Sequence, residues 1–106
     1  MVKVTYEPEK FRLVARGHAG SGTKGHDLIC AAVSALTLTL GANVADLAGD
    51  GKVTRQVLRL EEGDCFISCI PNEKMKPVVQ LIFDTVCAGF QLLETLYPEN
   101  IVYHID

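Results

Sequence analysis

The chain has 106 residues, a formal net charge of −3 and a composition in which 48% of residues are hydrophobic. A chain of this length can bury a core as one domain, so it needs no disulfide framework to fold. The slight negative charge, without a run of lysine or arginine, argues against nucleic-acid binding driven by overall charge. We therefore expect a single domain over residues 1–106 that does not bind nucleic acid directly.

Two segments bear on where the protein is located. The N-terminal stretch MVKVTYEPEKF lacks the continuous apolar core of a signal peptide. Residues 28–45 carry no charge over 18 positions, the lower limit for a membrane-spanning helix, but they include hydroxyl and amide side chains and lack basic flanks. We expect a helix buried in a soluble core or dimer interface, in a cytoplasmic protein with reduced cysteines and no membrane partner.

The first half of the chain predicts two strands and a helix. VKVTYE and FRLVAR alternate with period two and are joined by a turn at Pro8-Glu9-Lys10, as in an antiparallel hairpin. A glycine-rich loop then leads to a long apolar helix, for which Asp27 is the expected N-cap and Leu47 the approximate end. A Gly-Asp-Gly turn at residues 49–51 ends this helix.

The second half of the chain again predicts two strands followed by a helix, and then a closing strand. VTRQVLRLEE and CFISCI are predicted to form a hairpin across Gly63-Asp64. An apolar stripe at helical spacing predicts a second helix that starts at Asn72 to Pro77 and runs to about Tyr97. NIVYHI is the last strand. The order β-β-α-β-β-α-β indicates an α+β fold, a mixed sheet of about five strands with two long helices packed on one face.

The candidate catalytic residues lie in GHAGSGTKGHDLICAAVS, residues 17–34. With Asp27 as the N-cap, Cys30 is the third residue of the helix, where free backbone N–H groups and the helix dipole favour a thiolate. His18, twelve residues upstream, is the candidate general base that takes the thiol proton and returns it to a leaving amine. A lone cysteine near a buried helix is more often a core residue, so this pattern alone leaves the role of Cys30 open.

Two further residues and the loop complete the expected site. Ser34 lies one turn beyond Cys30 and is expected to donate a hydrogen bond into the site. Asp27 is the candidate to orient His18, although its capping role uses the same oxygens. Backbone N–H groups around Cys30 are expected to form an oxyanion hole, and the glycine loop is expected to close over a bound peptide.

A metal site would use some of the same residues. His18, His26 and Cys30 are candidate ligands, with Cys65 and Cys69 elsewhere in the chain. The sequence has no C-x-x-C pair. Cys65 and Cys69 lie four residues apart on a predicted strand, which places them about 13 Å apart, so they cannot both bind one metal ion without a bend in the strand. We therefore expect neither a metal nor a cofactor.

Two further functions agree with part of the sequence: nucleotide binding, and protein interaction without catalysis. The glycine-rich loop before a helix is similar to a phosphate-binding loop, but Lys24 is displaced by one position and no serine or threonine follows it. The apolar first helix, with its small residues, would equally suit a dimeric interaction protein.

The motif GHA at residues 17–19, followed by a glycine loop and GHDLICAAVS at residues 25–34, resembles the signature of the bacterial ribosomal-processing cysteine proteases called Prp. The resemblance extends over the whole chain. It implies a homodimeric cytoplasmic endopeptidase that removes an N-terminal extension from a large-subunit ribosomal protein, after an apolar motif that contains aromatic residues. It also implies His18 and Cys30 as the catalytic dyad, supported by Asp27 and Ser34. The alternative is a non-enzymatic dimeric interaction protein associated with ribosome assembly.

Overall fold

The computed structural model describes residues 1–18 and 24–106, and the side chains of residues 1–18 and 28–106. Within these residues the strands and α-helices follow one another in the predicted order β-β-α-β-β-α-β. Short 3-10 turns at Pro8–Lys10 and Glu73–Met75 precede the second strand and the second α-helix. The elements are β1 (Val2–Glu7), β2 (Arg12–Arg16), α1 (Lys24–Gly49), β3 (Val53–Glu61), β4 (Asp64–Pro71), α2 (Lys76–Leu96) and β5 (Ile101–Ile105).

The described strands form one five-stranded sheet in the order β3-β4-β2-β1-β5. The neighbouring strands are antiparallel except for β1 and β5, which are parallel. On β1 the side chains of Val2, Val4 and Tyr6 are buried, while those between them are more exposed, as the period-two pattern predicts. The prediction of a mixed sheet of about five strands is confirmed.

Both helices pack on one face of this sheet and enclose the core. On α2 the side chains of Phe83 and Phe90 are fully buried, and the ring of Phe83 stacks on Tyr6 with centroids 6.0 Å apart. On α1, Leu40 and Val44 are fully buried as well. Each such side chain contributes about 1.5–3 kcal/mol through removal of its apolar surface from water. The predicted α+β architecture with two helices on the sheet is therefore confirmed.

The helix α1 begins earlier than predicted but ends as expected. Its first residue is Lys24, three residues before the predicted N-cap Asp27, so that prediction is wrong. At the other end the N–H groups of Gly51 and Lys52 donate to carbonyl oxygens of the last helical turn at 3.0 and 2.8 Å, and Gly51 has φ +72°, which is a Schellman cap. The earlier start makes Cys30 the seventh residue of α1, in its second turn.

In the part of the chain that the structure describes, two helical segments are long and apolar enough to cross a membrane by length and composition alone, Leu28–Gly49 and Glu73–Leu96. A core helix of a soluble protein meets the same criterion. Each segment here carries fully buried side chains that contact the sheet, such as Leu40 and Phe83. This packing agrees with the prediction that residues 28–45 form a helix buried in a core.

Candidate active site

A small cavity lies where the end of β2, the helix α1 and the β3–β4 turn meet. Its volume is about 30 Å³, which is about the share of one water molecule in the liquid. Three of the four predicted site residues, His18, Cys30 and Ser34, line it together. The structure therefore brings the thiol, the imidazole and the hydroxyl to one place, although His18 and Cys30 come from different elements.

Cys30 is held by the helix that carries it. Ile29 and Val33 on either side of it are buried in the core, while Cys30 is half-buried and lines the cavity. Ser34 lies one turn further on the same face of α1. Packing thus fixes the rotation of α1 and directs the Cys30 thiol to the cavity.

The second-turn position contradicts the prediction that Cys30 is the third residue of the helix, where free backbone N–H groups favour a thiolate. Only the first four N–H groups of a helix lack a partner within the helix, and in α1 these belong to residues 24–27. The N–H group of Cys30 lies beyond them. The N–H group of Cys30 itself therefore bonds within the helix, and an oxyanion hole from the N–H groups around Cys30 stays a prediction.

His18 is exposed and lies two residues after the end of β2. Its imidazole lies against the Cα atom of Gly63 in the β3–β4 turn. The N–H group of the preceding residue, Gly17, donates to the carbonyl oxygen of Gly63 at 3.0 Å. On the other side, the amino group of Met1 donates to the carbonyl oxygen of His18 at 2.6 Å. The backbone at His18 is thus tied to β1 and, through Gly17, to the β3–β4 turn.

Several predicted groups lie outside the described residues. These are the side chains of Asp27 and His26 and most of the glycine loop, so the orienting role of Asp27, the contribution of His26 to a metal site and the closing loop stay predictions. Among the residues whose side chains are described, no three or more histidine, cysteine or acidic residues are grouped so that they could hold a metal ion.

The sequence did not indicate Cys65 as a site residue. Its apolar neighbours in the sequence predict a core thiol, but it is half-buried, lines the cavity, and its Sγ atom donates to the carbonyl oxygen of Glu61 at 3.3 Å. By contrast, Cys69 and Cys87 are buried, and burial raises their pKa values to about 11 and about 12. Those two cysteines stay protonated at neutral pH and are core residues, as their apolar neighbours in the sequence also predict.

Acidic side chains also border the cavity. Glu61 and Glu62, at the end of β3 and in the following turn, are exposed and line it. The sequence alone predicts no more than a solvated hairpin turn for this acidic run. Its position next to Cys30 follows from tertiary packing, which no local sequence pattern indicates.

Cysteine proteases commonly use a cysteine thiol and a histidine imidazole, and here a half-buried thiol and an imidazole line one cavity in a small α+β fold. Residues 1–102 match the family model described as cysteine protease Prp. The chain therefore belongs to the Prp family of cysteine proteases. No curated protein matches the sequence.

Solved structures of similar chains agree with this assignment. The ribosomal processing protease Prp from S. aureus, in complex with a covalently linked product peptide, superposes with a TM-score of 0.75 at 26% identity over 100% of both chains. The same protease with a substrate peptide gives 0.66 at 27% identity, over 99% of this chain and 97% of the other. The protein SMU.848 from Streptococcus mutans gives 0.69 at 27% identity, over 98% and 90%.

Proposed function

We propose that this cysteine protease removes an N-terminal extension from a large-subunit ribosomal protein, and that His18 and Cys30 are its catalytic dyad. The observation that carries the proposal is that these two side chains line one cavity although they lie twelve residues apart in the sequence. The similarity to a ribosomal processing protease with peptide bound supports a peptide substrate.

The first half of the reaction forms a thioester. An imidazole nitrogen of His18 takes the proton from the Sγ atom of Cys30, and the thiolate attacks the carbonyl carbon of the scissile peptide bond. The C–N bond then breaks, and the leaving amine takes the proton back from the imidazolium. The N-terminal fragment stays bound to Cys30, and the shortened ribosomal protein leaves.

The second half hydrolyses the thioester. His18 takes a proton from a water molecule, whose oxygen attacks the thioester carbon, and the proton returns to the sulfur as the C–S bond breaks. The Ser34 hydroxyl, on the cavity wall, is a donor for the negative oxygen that forms in each half. Asp27 is proposed to orient the imidazole.

We place this reaction in the cytoplasm, in a homodimer whose protomers are each one domain over residues 1–106. Large apolar side chains on the two helices support the dimer, because Leu38, Leu81 and Leu92 are more than half exposed in the single chain. A groove of about 310 Å³ runs between the helices beside Leu81 and Ile82. Sedimentation velocity should give a dimer for the wild type and a monomer for Leu81→Glu, and a monomeric wild type would contradict the dimer.

The function is tested by incubating the purified protein with ribosomal proteins of its host and determining their N-termini by mass spectrometry. The wild type should shorten one large-subunit protein, and Cys30→Ala should not. The matched control is Cys65→Ala, which removes the other thiol of the same cavity and should keep cleavage. Unchanged N-termini with the wild type, or equal cleavage by Cys30→Ala, would contradict the proposal.

A further inference from the structure

The β3–β4 turn contains a glycine that leaves room for the His18 ring. Gly63 has φ +75°, and a Cβ atom added to it would lie 2.5 Å from Nε2 and 3.2 Å from Nδ1 of His18, and still nearer to Cε1. Real Cβ atoms essentially never approach a heavy atom of a residue other than their chain neighbours within 3.0 Å. The imidazole thus occupies the space that any side chain at position 63 would fill.

The turn that carries Gly63 is itself held in place. Its carbonyl oxygen accepts a hydrogen bond from Gly17 at 3.0 Å. The next residue, Asp64, contacts Arg16 through one carboxylate oxygen and Arg59 through the other, both at 3.3 Å. Each exposed ion pair is weak, but together with the backbone hydrogen bond they tie the turn to the end of β2. The surface against which the imidazole packs is therefore fixed relative to the strand that leads into His18.

We propose that Gly63 is a positioning residue, whose missing side chain lets the His18 imidazole lie against the turn and face the cavity that Cys30 lines. The inference rests on the proposed function, in which His18 is the general base. A Cβ atom at position 63 moves the ring by an ångström or more, and a displacement of about 1 Å in a catalytic group can cost about 10²-fold in rate.

Substitution of Gly63 also strains the backbone, so the test needs a control with the same strain. Gly51 provides it: its φ is +72°, and nothing lies within 4 Å of a Cβ atom added there. Gly63→Ala and Gly51→Ala should both lower Tm, by about 5–10 °C. Only Gly63→Ala brings a new atom against His18.

The first measurement is steady-state cleavage of the ribosomal protein that the wild type shortens. Gly63→Ala should lose about 10²-fold in kcat with KM little changed, while Gly51→Ala stays within about twofold of the wild type. Equal kcat values for the two variants would overturn the inference.

The second measurement reports on the ring without relying on catalysis. The 15N and carbon-bound 1H resonances of the His18 imidazole, assigned by their absence in His18→Ala, should shift in Gly63→Ala and not in Gly51→Ala. Unchanged ring resonances in Gly63→Ala would overturn the inference. If the wild type cleaves no ribosomal protein, the proposed function fails, whereas the ring resonances still decide the role of Gly63.

A second pair of variants keeps the test valid if Gly63→Ala does not fold. Asparagine tolerates the left-handed region better than alanine but still adds a Cβ atom. Gly63→Asn should therefore shift the His18 resonances and lower kcat relative to Gly51→Asn. The same ring resonances and the same kcat in these two variants would also overturn the inference.

Discussion

Cys30 and Cys65 line the same cavity from two different elements, the second turn of α1 and the beginning of β4. Both are half-buried, whereas Cys69 and Cys87 are buried. Cys65 donates its thiol hydrogen to the carbonyl oxygen of Glu61 at 3.3 Å. The four cysteines thus divide by position into one candidate nucleophile, one hydrogen-bonded neighbour and two core residues.

This division predicts an order of alkylation. At pH 7 iodoacetamide should modify Cys30 first and Cys65 more slowly, and should leave Cys69 and Cys87 unmodified in the folded protein. The reason is that the thiolate is the reactive form, and burial raises the pKa of the last two to about 11 and about 12. Peptide mapping by mass spectrometry over time gives the four rates.

The control for that experiment is His18→Ala, which should slow alkylation of Cys30 and leave the Cys65 rate unchanged. Equal rates at all four cysteines in the folded wild type would contradict an activated thiol at Cys30. After unfolding in guanidinium chloride, the four rates should converge.

Ser34→Ala should lower kcat by about tenfold or more and leave KM nearly unchanged. Ser34 lines the cavity, and its proposed role is to donate a hydrogen bond to the charge that develops in the transition state. Loss of one such donor costs up to about 10²- to 10³-fold in kcat. Ser68→Ala is the matched control, because Ser68 is a half-buried serine of β4. A Ser34→Ala variant with the kcat of Ser68→Ala would contradict a role for this hydroxyl.

Folding stability should fall above pH 9 because of the two buried thiols. Their folded pKa values, about 11 for Cys69 and about 12 for Cys87, lie above the ordinary value of 9.0. The unfolded chain therefore loses these protons first, and each thiol lowers the free energy of unfolding by about 1 kcal/mol between pH 9 and 10. Urea unfolding in the presence of a reductant, at pH 7, 8, 9 and 10, measures the effect.

A variant isolates the contribution of one thiol to this pH dependence. Cys87→Ala lowers stability at every pH because it removes a buried group, but its decline between pH 9 and 10 should be shallower by about 1 kcal/mol. Cys65→Ala, at a half-buried position, should keep the wild-type decline. The explanation fails if all three proteins decline in parallel.

Two glycine substitutions at the end of α1 should change the free energy of unfolding in opposite directions. Gly49 is the last helical residue, is exposed and has nothing within 4 Å of an added Cβ atom, so Gly49→Ala should raise the free energy of unfolding by about 0.5 kcal/mol. Gly51 caps the helix at φ +72°, so Gly51→Ala should lower the free energy of unfolding by about 1–2 kcal/mol. Changes of the same sign would contradict this account of the cap.

Much of the fold was predictable because its signals are local. The alternation in VKVTYE and the stripe in α2 follow from which side chains must face the core, and the cap at Gly51 follows from glycine chemistry. The start of α1 was not predictable in this way. The preferences of Gly25 and Asp27 against helix amount to about 1 kcal/mol or less each, and extension of a long helix offsets them.

The residues at the cavity also differ in whether a local sequence pattern predicts them. His18 and Cys30 are recognisable from one continuous motif, and both line the cavity. Gly63 and Cys65 come from a hairpin far away in sequence, and their place depends on how β4 pairs with β2. In the structure Ala15 lies opposite Cys65. One residue of slip between these strands would direct different side chains to the cavity, and no local pattern fixes that pairing.

The parallel pairing of β1 with β5 makes completion of the sheet depend on residues 101–105. Val2, which lines the cavity, pairs with Ile101, so β1 lacks one neighbour until residues 101–105 have been synthesised. Because contacts this distant in sequence form late and slowly, a nascent chain in which residues 101–105 are still inside the ribosome has an incomplete sheet. Proteolytic competence should therefore appear only after these five residues have emerged and paired with β1.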